Sequence, residues 1–392
     1  MNNARIAGRK SYMVAVALPI ATRSLDQARE ILRGVAQAQT ELNQQQGTQR
    51  IPLKVLIARD DNDRVMAERV ALALVQRPDV LGVIGHFSSD TTEAAGQIYQ
   101  QHHLVMISAT STAVKISALG DFIFRTVPTD HSAAQVLACY IKTSLKASKA
   151  AIYHAADSVY SQSLRQEFRA VLADRAIGGQ VVQVVQEFDL AASSQFNALT
   201  TLETANQQQA KVLAMFPDTK TRPQTLEVIQ ETRQDFKLIG GDSMYDNDIL
   251  QDGQQYAEGM VVAVPWVFRA EDAFARRAAQ LWQGSVNWRT VTAYDAIQAM
   301  AAGLKRHPTR SGIQQTLSAP GFVASGATDT IQFSRSAIAF RKCSWRSYNV
   351  SPIRSLAIVL YPFCPHPFAN SKNNPSKILV FGARAPKPLA IY

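Results

Sequence analysis

Short, unbroken apolar runs alternate with helical stretches through the first third of this sequence. "YMVAVALP" leads into a helical stretch from about 24 to 43, "PLKVLIARD" into one from about 64 to 75, and "VLGVIGH" into one from about 91 to 102; "LVMISAT" follows. Runs without polar alternation suit strands covered on both faces, and helical crossovers between them make those strands parallel. The chain is therefore read as α/β, with a doubly wound sheet.

After "FIFRTVPTD" the rhythm restarts. Helical stretches near 132–145, 162–172, 196–205 and 224–234 alternate with "KAAIYHA", "QVVQVVQEF", "AKVLAMF", "KLIGG" and "GMVVAVPW". This second set makes another sheet of the same kind, so two doubly wound, Rossmann-like lobes share one chain. A cleft is expected where the carboxyl ends of their strands meet. A late helix over about 291–305 is expected to return to the first lobe, and "TDTIQFS" reads as a last strand. The lobes are drawn as 12–127 plus 268–318 and 128–267 plus 319–334.

The 392 residues suffice for two lobes with proper cores, and no run of 18 apolar residues offers a spanning helix. A net charge of +10 would suggest a nucleic-acid partner, but its distribution argues otherwise. Residues 335–392 hold nine Lys or Arg and no acid, which leaves 32 basic against 31 acidic residues elsewhere. That basic, Pro-rich tail is expected to be disordered or foreign to the fold. The three cysteines, Cys139, Cys343 and Cys364, show no CxxC spacing and give neither a disulfide scaffold nor a zinc pattern. Arg9-Lys10 before "YMVAVALPIA" has the outline of a signal peptide, but βαβ spacing makes this stretch the first strand. An export signal is then not visible in this chain.

"GHFSSDTTEA", 85–94, packs His, Ser and Asp together where a strand becomes a helix. It lacks the second glycine of a G-x-S-x-G elbow, and His86 stands too near Ser88 and Ser89 in sequence to serve them as base. A serine hydrolase is the weakest of three readings. No GxxxxGK[ST], GxGxxG or HExxH occurs, so no cofactor and no metal are expected. As a binding loop the stretch makes better sense. His86 becomes a strand-end residue near the cleft wall, Asp90 caps the helix, and Ser89 is left for a ligand. The free N–H groups of that first turn suit an anion such as a carboxylate. "ISATSTA", 107–113, repeats the device one strand later with Thr110, Ser111 and Thr112.

The stretch "DVLGVIGHFSSDTTEAAGQIYQQHHLVMISATST" resembles the type I periplasmic solute-binding proteins of amino-acid ABC transporters, the leucine/isoleucine/valine-binding group. "ALPI", "PLKVLIARDDND", "DFIFRTVPTD", "IGGDSMY" and "YAEGMVVAVPW" resemble its other landmarks in order, over about residues 12–334, with cyanobacterial members nearest in look. The resemblance implies two lobes closing on a hinge, and an amino acid captured for a membrane permease by a periplasmic monomer. It implies that Ser89 meets the ligand carboxylate. Thr110 and Ser111 would bind carboxylate and ammonium largely through backbone groups, and Thr112 through its side chain. Tyr160 would close over the ligand and Asp242 would pair with the α-ammonium. Met215 or Phe216 stands where the family often has a tyrosine, and Phe216 is taken as the pocket residue. A small or aliphatic ligand side chain is expected. The alternative is a sensing domain of the same fold feeding a kinase or other regulatory module.

Overall fold

The computed structural model describes residues 2–20, 24–44, 51–192, 195–232 and 235–333, and the backbone of 339–340, 348–349 and 357–359. The first lobe runs β1 (Tyr12–Leu18), α1 (Leu25–Gln44), β2 (Leu53–Arg59), α2 (Arg64–Val75), β3 (Val80–Ile84), α3 (Ser89–Gln101), β4 (Met106–Ser108) and β5 (Ile123–Arg125). All five strands are parallel, in the order β2-β1-β3-β4-β5. The apolar runs explain this. Val14, Val16 and Leu18 of β1 pack with Ile31, Val35 and Ala38 of α1. Ala15 and Ala17 pack the other way, with Ala67 and Ala71 of α2 and Ala95 and Tyr99 of α3. A strand sandwiched between two helix layers has no polar face to show.

The second lobe runs α4 (Asp130–Cys139), continued by a π-helical turn at Tyr140–Leu145, then β6 (Lys149–His154), α5 (Val159–Ala173), β7 (Gln183–Asp189), α6 (Ala198–Gln207) and β8 (Val212–Phe216). It continues through α7 (Arg222–Glu231), β9 (Lys237–Gly240), α8 (Asn247–Gly253) and β10 (Val261–Ala263). These strands are also parallel, in the order β7-β6-β8-β9-β10.

The chain then forms α9 (Ala273–Trp282), α10 (Trp288–Arg306), α11 (Arg310–Ser318), β11 (Ala324–Ser325) and β12 (Thr330–Phe333). Helix α10 packs along α1 and touches β3 and β4 of the first lobe. The crossing is at backbone distance: a Cβ on Gly34 would lie 2.1 Å from the Thr290 carbonyl oxygen. Only glycine allows that approach. Thr290 Oγ1 also donates to the Glu30 carboxylate at 2.7 Å.

Beyond β12, β13 (Ala339–Phe340) pairs antiparallel with it. β14 (Tyr348–Asn349) pairs with β15 (Ala357–Val359), which lies parallel to β10. The rest of the 335–392 tail lies outside the described residues. No helix among the described residues is long and apolar enough to cross a membrane.

Candidate ligand cleft

Both lobes thread their first five strands in the same order, which reverses direction between β1 and β3 and again between β6 and β8. Crevices at such reversals, beyond the carboxyl ends of the strands, are where α/β sheets take ligands. A cavity of about 190 Å³ sits there, between the lobes. That is smaller than the ~300–1,000 Å³ of pockets for drug-sized ligands.

The first wall follows β3 and β4. Ser88, not Asp90, is the N-cap of α3, its hydroxyl accepting from Thr91 N at 3.3 Å. Asp90 sits two positions too late to cap, and it reaches across the cleft instead. Its carboxylate accepts from Val159 N at 3.1 Å and from the Ser158 hydroxyl at 3.4 Å, at the start of α5. Burial pushes its pKa up, and the Val159 hydrogen bond opposes that rise. Ser89 is 2% exposed and lines the cavity, with its Oγ accepting from Ala113 N at 3.3 Å. That bond uses the oxygen and leaves the hydroxyl proton to donate.

Thr110 lines the cavity too, but its Oγ1 donates to the Phe87 carbonyl at 2.6 Å. Ser111 and Thr112 are buried and stand outside the cavity lining. The Ser111 hydroxyl meets Thr92 Oγ1 at 2.6 Å, within the wall. The Thr112 carbonyl accepts from Asp130 N and from Arg125. A second Arg125 bond, 2.8 Å to the Ala113 carbonyl, helps hold this loop.

The second wall follows β6, β8 and β9. Tyr160, in the first turn of α5, and Asp242, just past β9, both line the cavity. Ser243 N donates to the Tyr160 hydroxyl at 3.4 Å. A Cβ on Gly241 would meet that hydroxyl at 2.3 Å, so only glycine lets the ring lie against the Asp242 turn. Burial raises the Asp242 pKa to about 6; the Arg289 charge and the Tyr160 hydroxyl oppose it. Asp130, behind them and fully buried, is raised to about 7 for the same first reason. One wall thus presents a serine hydroxyl and the N-terminus of α3. The other presents a desolvated carboxylate under a phenol.

The periplasmic binding protein family matches residues 13–345. The chain belongs to that family. Its two parallel α/β sheets give it the type I fold of such proteins. It is 30% identical over 190 residues to an amino acid binding protein of Pseudomonas aeruginosa, covering 48% of this chain and 50% of that one. A second relative in that organism, a leucine-, isoleucine-, valine-, threonine- and alanine-binding protein, is 25% identical over 318 residues, covering 77% and 82%. The chain thus spans half the length of the first relative. A substrate-binding protein of an ABC transporter from Desulfitobacterium hafniense, solved with Leu, shares the fold at TM-score 0.69 and 23% identity, covering 84% and 94%.

In this binding protein Phe216 does not reach the ligand space. It is fully buried, packed edge-on against Phe168 of α5 with ring centroids 5.2 Å apart. Met215 is buried on the other face of β8. Residues within β8 point into one helix layer or the other, so the cleft is met only past the strand end, by Asp218, Thr219 and Lys220. Reading "AKVLAMF" as ending at the pocket places the contact a few residues too early.

Sequence reasoning also missed Gln27, Asn62, Arg222, Trp288 and Arg289, all of which line the cavity. The signal for Asn62 was available: "DDND" follows "PLKVLIAR" as the Ser/Thr loops follow their strands. Gln27, Trp288 and Arg289 come from helices far away in sequence, and nothing local marks them.

His86 is not beside the cavity but sealed under it, fully buried. Its Nδ1 meets Asp60 Oδ2 at 2.6 Å and its Nε2 meets the Tyr99 hydroxyl at 3.1 Å. Both ring nitrogens are occupied away from Ser88 and Ser89, so it serves neither as base. The His86 carbonyl accepts from Thr92 Oγ1 at 3.1 Å, with the hydroxyls of Ser108, Thr110 and Ser111 at 3.4–3.5 Å. Among the described residues, no cluster of three His, Cys, Asp or Glu could hold a metal ion.

Proposed function

We propose that this chain captures one free amino acid between its lobes, in the periplasm, and hands it unchanged to the permease of an ABC-type uptake system. The observation that carries the reading is the polarity of the cleft. Asp242, desolvated beneath Tyr160, faces a wall built from Ser89 and the start of α3. Donors at one end and a carboxylate at the other fit a zwitterion, whose carboxylate takes the N–H and O–H groups and whose ammonium takes Asp242. Thr110 belongs to the carboxylate end; Ser111 and Thr112 support the loop from behind. The small cavity favours a small or aliphatic side chain. The lobes, drawn as 12–127 plus 268–318 and 128–267 plus 319–334, close by rotation about their crossings, in a chain that works as a monomer. The names of the two Pseudomonas relatives support an amino-acid ligand. Calorimetry against the twenty amino acids tests this: one-to-one binding is expected, and silence across the panel overturns it.

A further inference from the structure

Several charges around the middle of the cleft are already committed within the protein. Arg222 donates to Asp246 at 2.8 Å and to Asp248 at 2.9 Å, and Arg64 pairs with Glu93 at 3.2 Å. Asp218 accepts from Lys220 N and Thr221 N of its own turn. Arg289 donates to the carbonyls of Tyr245 and Asp242, with the Asp246 and Asp242 charges beside it.

What is left over is hydrogen-bonding capacity. Gln27 Oε1, Trp288 Nε1 and Arg289 Nε have no partner in the protein, on side chains that are 4%, 1% and 4% exposed. All three residues line the cleft, on the side of the Asp242–Asp246 turn. Ser243 Oγ and Asn62 Oδ1, from the same lining, are likewise buried without a partner. Leaving such a group unpaired is unfavourable, so this concentration around one cavity calls for a ligand that pairs them.

Their chemistry is specific. Gln27 Nε2 donates to Asp246, which only accepts, so Gln27 Oε1 is a fixed acceptor. The Trp288 indole N–H can only donate. An aliphatic side chain would satisfy neither. A hydroxyl or a carboxamide, able both to donate and to accept, matches both in kind, and it brings no further charge to a wall that already carries several ion pairs.

Given the amino-acid reading of the cleft, we propose that it selects amino acids with a small, uncharged, hydrogen-bonding side chain, and that Gln27 and Trp288 read that group. The wider expectation of a small or aliphatic side chain narrows to its small, polar part.

Isosteric pairs test this on the intact chain. Calorimetry should show threonine bound more tightly than valine, and asparagine more tightly than leucine, by about tenfold or more, as sites built to hydrogen-bond a side chain reject the analogue that lacks it. Gln27→Met, and separately Trp288→Phe, should bring those ratios toward one. Valine and leucine binding as well as threonine and asparagine would overturn the inference and leave the zwitterion reading standing. Binding of no amino acid at all would overturn both. Ratios that neither substitution moves would overturn the role given to Gln27 and Trp288.

Discussion

The two lobes share one strand order but meet the cleft with opposite chemistry. In the first, β3 and β4 end in hydroxyls that are neutral and bonded to one another or to the backbone, and their work is to aim N–H and O–H groups. In the second, β9 ends in Asp242 with Asp130 behind it, two carboxyls held above their ordinary range by burial. The fold dictates where loops stand, not what they carry. The neutral wall needs many weak donors in register, whereas the charged wall depends on one group whose protonation decides whether it works.

Removing Asp242 should expose that asymmetry most. Asp242→Ala is expected to cost about 2–5 kcal/mol of ligand affinity by calorimetry, because a buried ammonium loses its partner. An unchanged affinity would leave the charged wall without a function.

Acidification should act next, chiefly on the second wall. With Asp242 near 6, affinity at pH 5 should fall about tenfold below its value at pH 7, since a neutral carboxyl no longer pairs with the ammonium. Stability of the ligand-free chain should move the other way. Asp130 and Asp242 have folded pKa values of about 7 and about 6, against an ordinary aspartate value of 3.8. The folded state therefore binds more protons than the unfolded state between about pH 4 and 7, and these two groups destabilise the fold as pH rises through that window. Thermal melts from pH 7 to 5 would show it as a gain that other carboxylates partly offset.

The smallest effect belongs to the bond that joins the walls. Asp90→Ala removes the acceptor for Val159 N and Ser158, and should cost about 1 kcal/mol, spread evenly over all ligands. A loss confined to one ligand would mean that Asp90 contacts the ligand rather than the opposite lobe.

Much of this architecture is legible in the sequence, because a strand covered on both faces has to be apolar throughout. β1, β8 and β9 follow from that rule almost residue by residue. Helices α8, α9 and α11 do not, since each is short and takes its stability from packing rather than from its own periodicity. At the cleft, the Ser/Thr-rich stretches past the strand ends point to Ser89 and Thr110, and the family resemblance points to Tyr160 and Asp242. Phe216 was misplaced because hydrophobicity marks a strand without marking which residue clears its end. Asp90 was misread because a serine two positions earlier competes for the same cap. Gln27, Trp288 and Arg289 depend on α1 and α10 meeting at Gly34, a contact between segments more than 250 residues apart.

The His86 carbonyl, with hydroxyls gathered around it, has a consequence for how binding heat and entropy divide. Thr92 of α3, Ser108 at the end of β4, and Thr110 and Ser111 of the loop after it reach it or its neighbour, and the imidazole beneath is fixed by Asp60 and Tyr99. Their rotamers are frozen when the chain folds. A ligand arriving at this wall has little left to immobilise, so its hydrogen bonds there carry little ordering entropy against them. The entropic cost of capture then falls on the ligand and on the rotation that brings the second lobe to it.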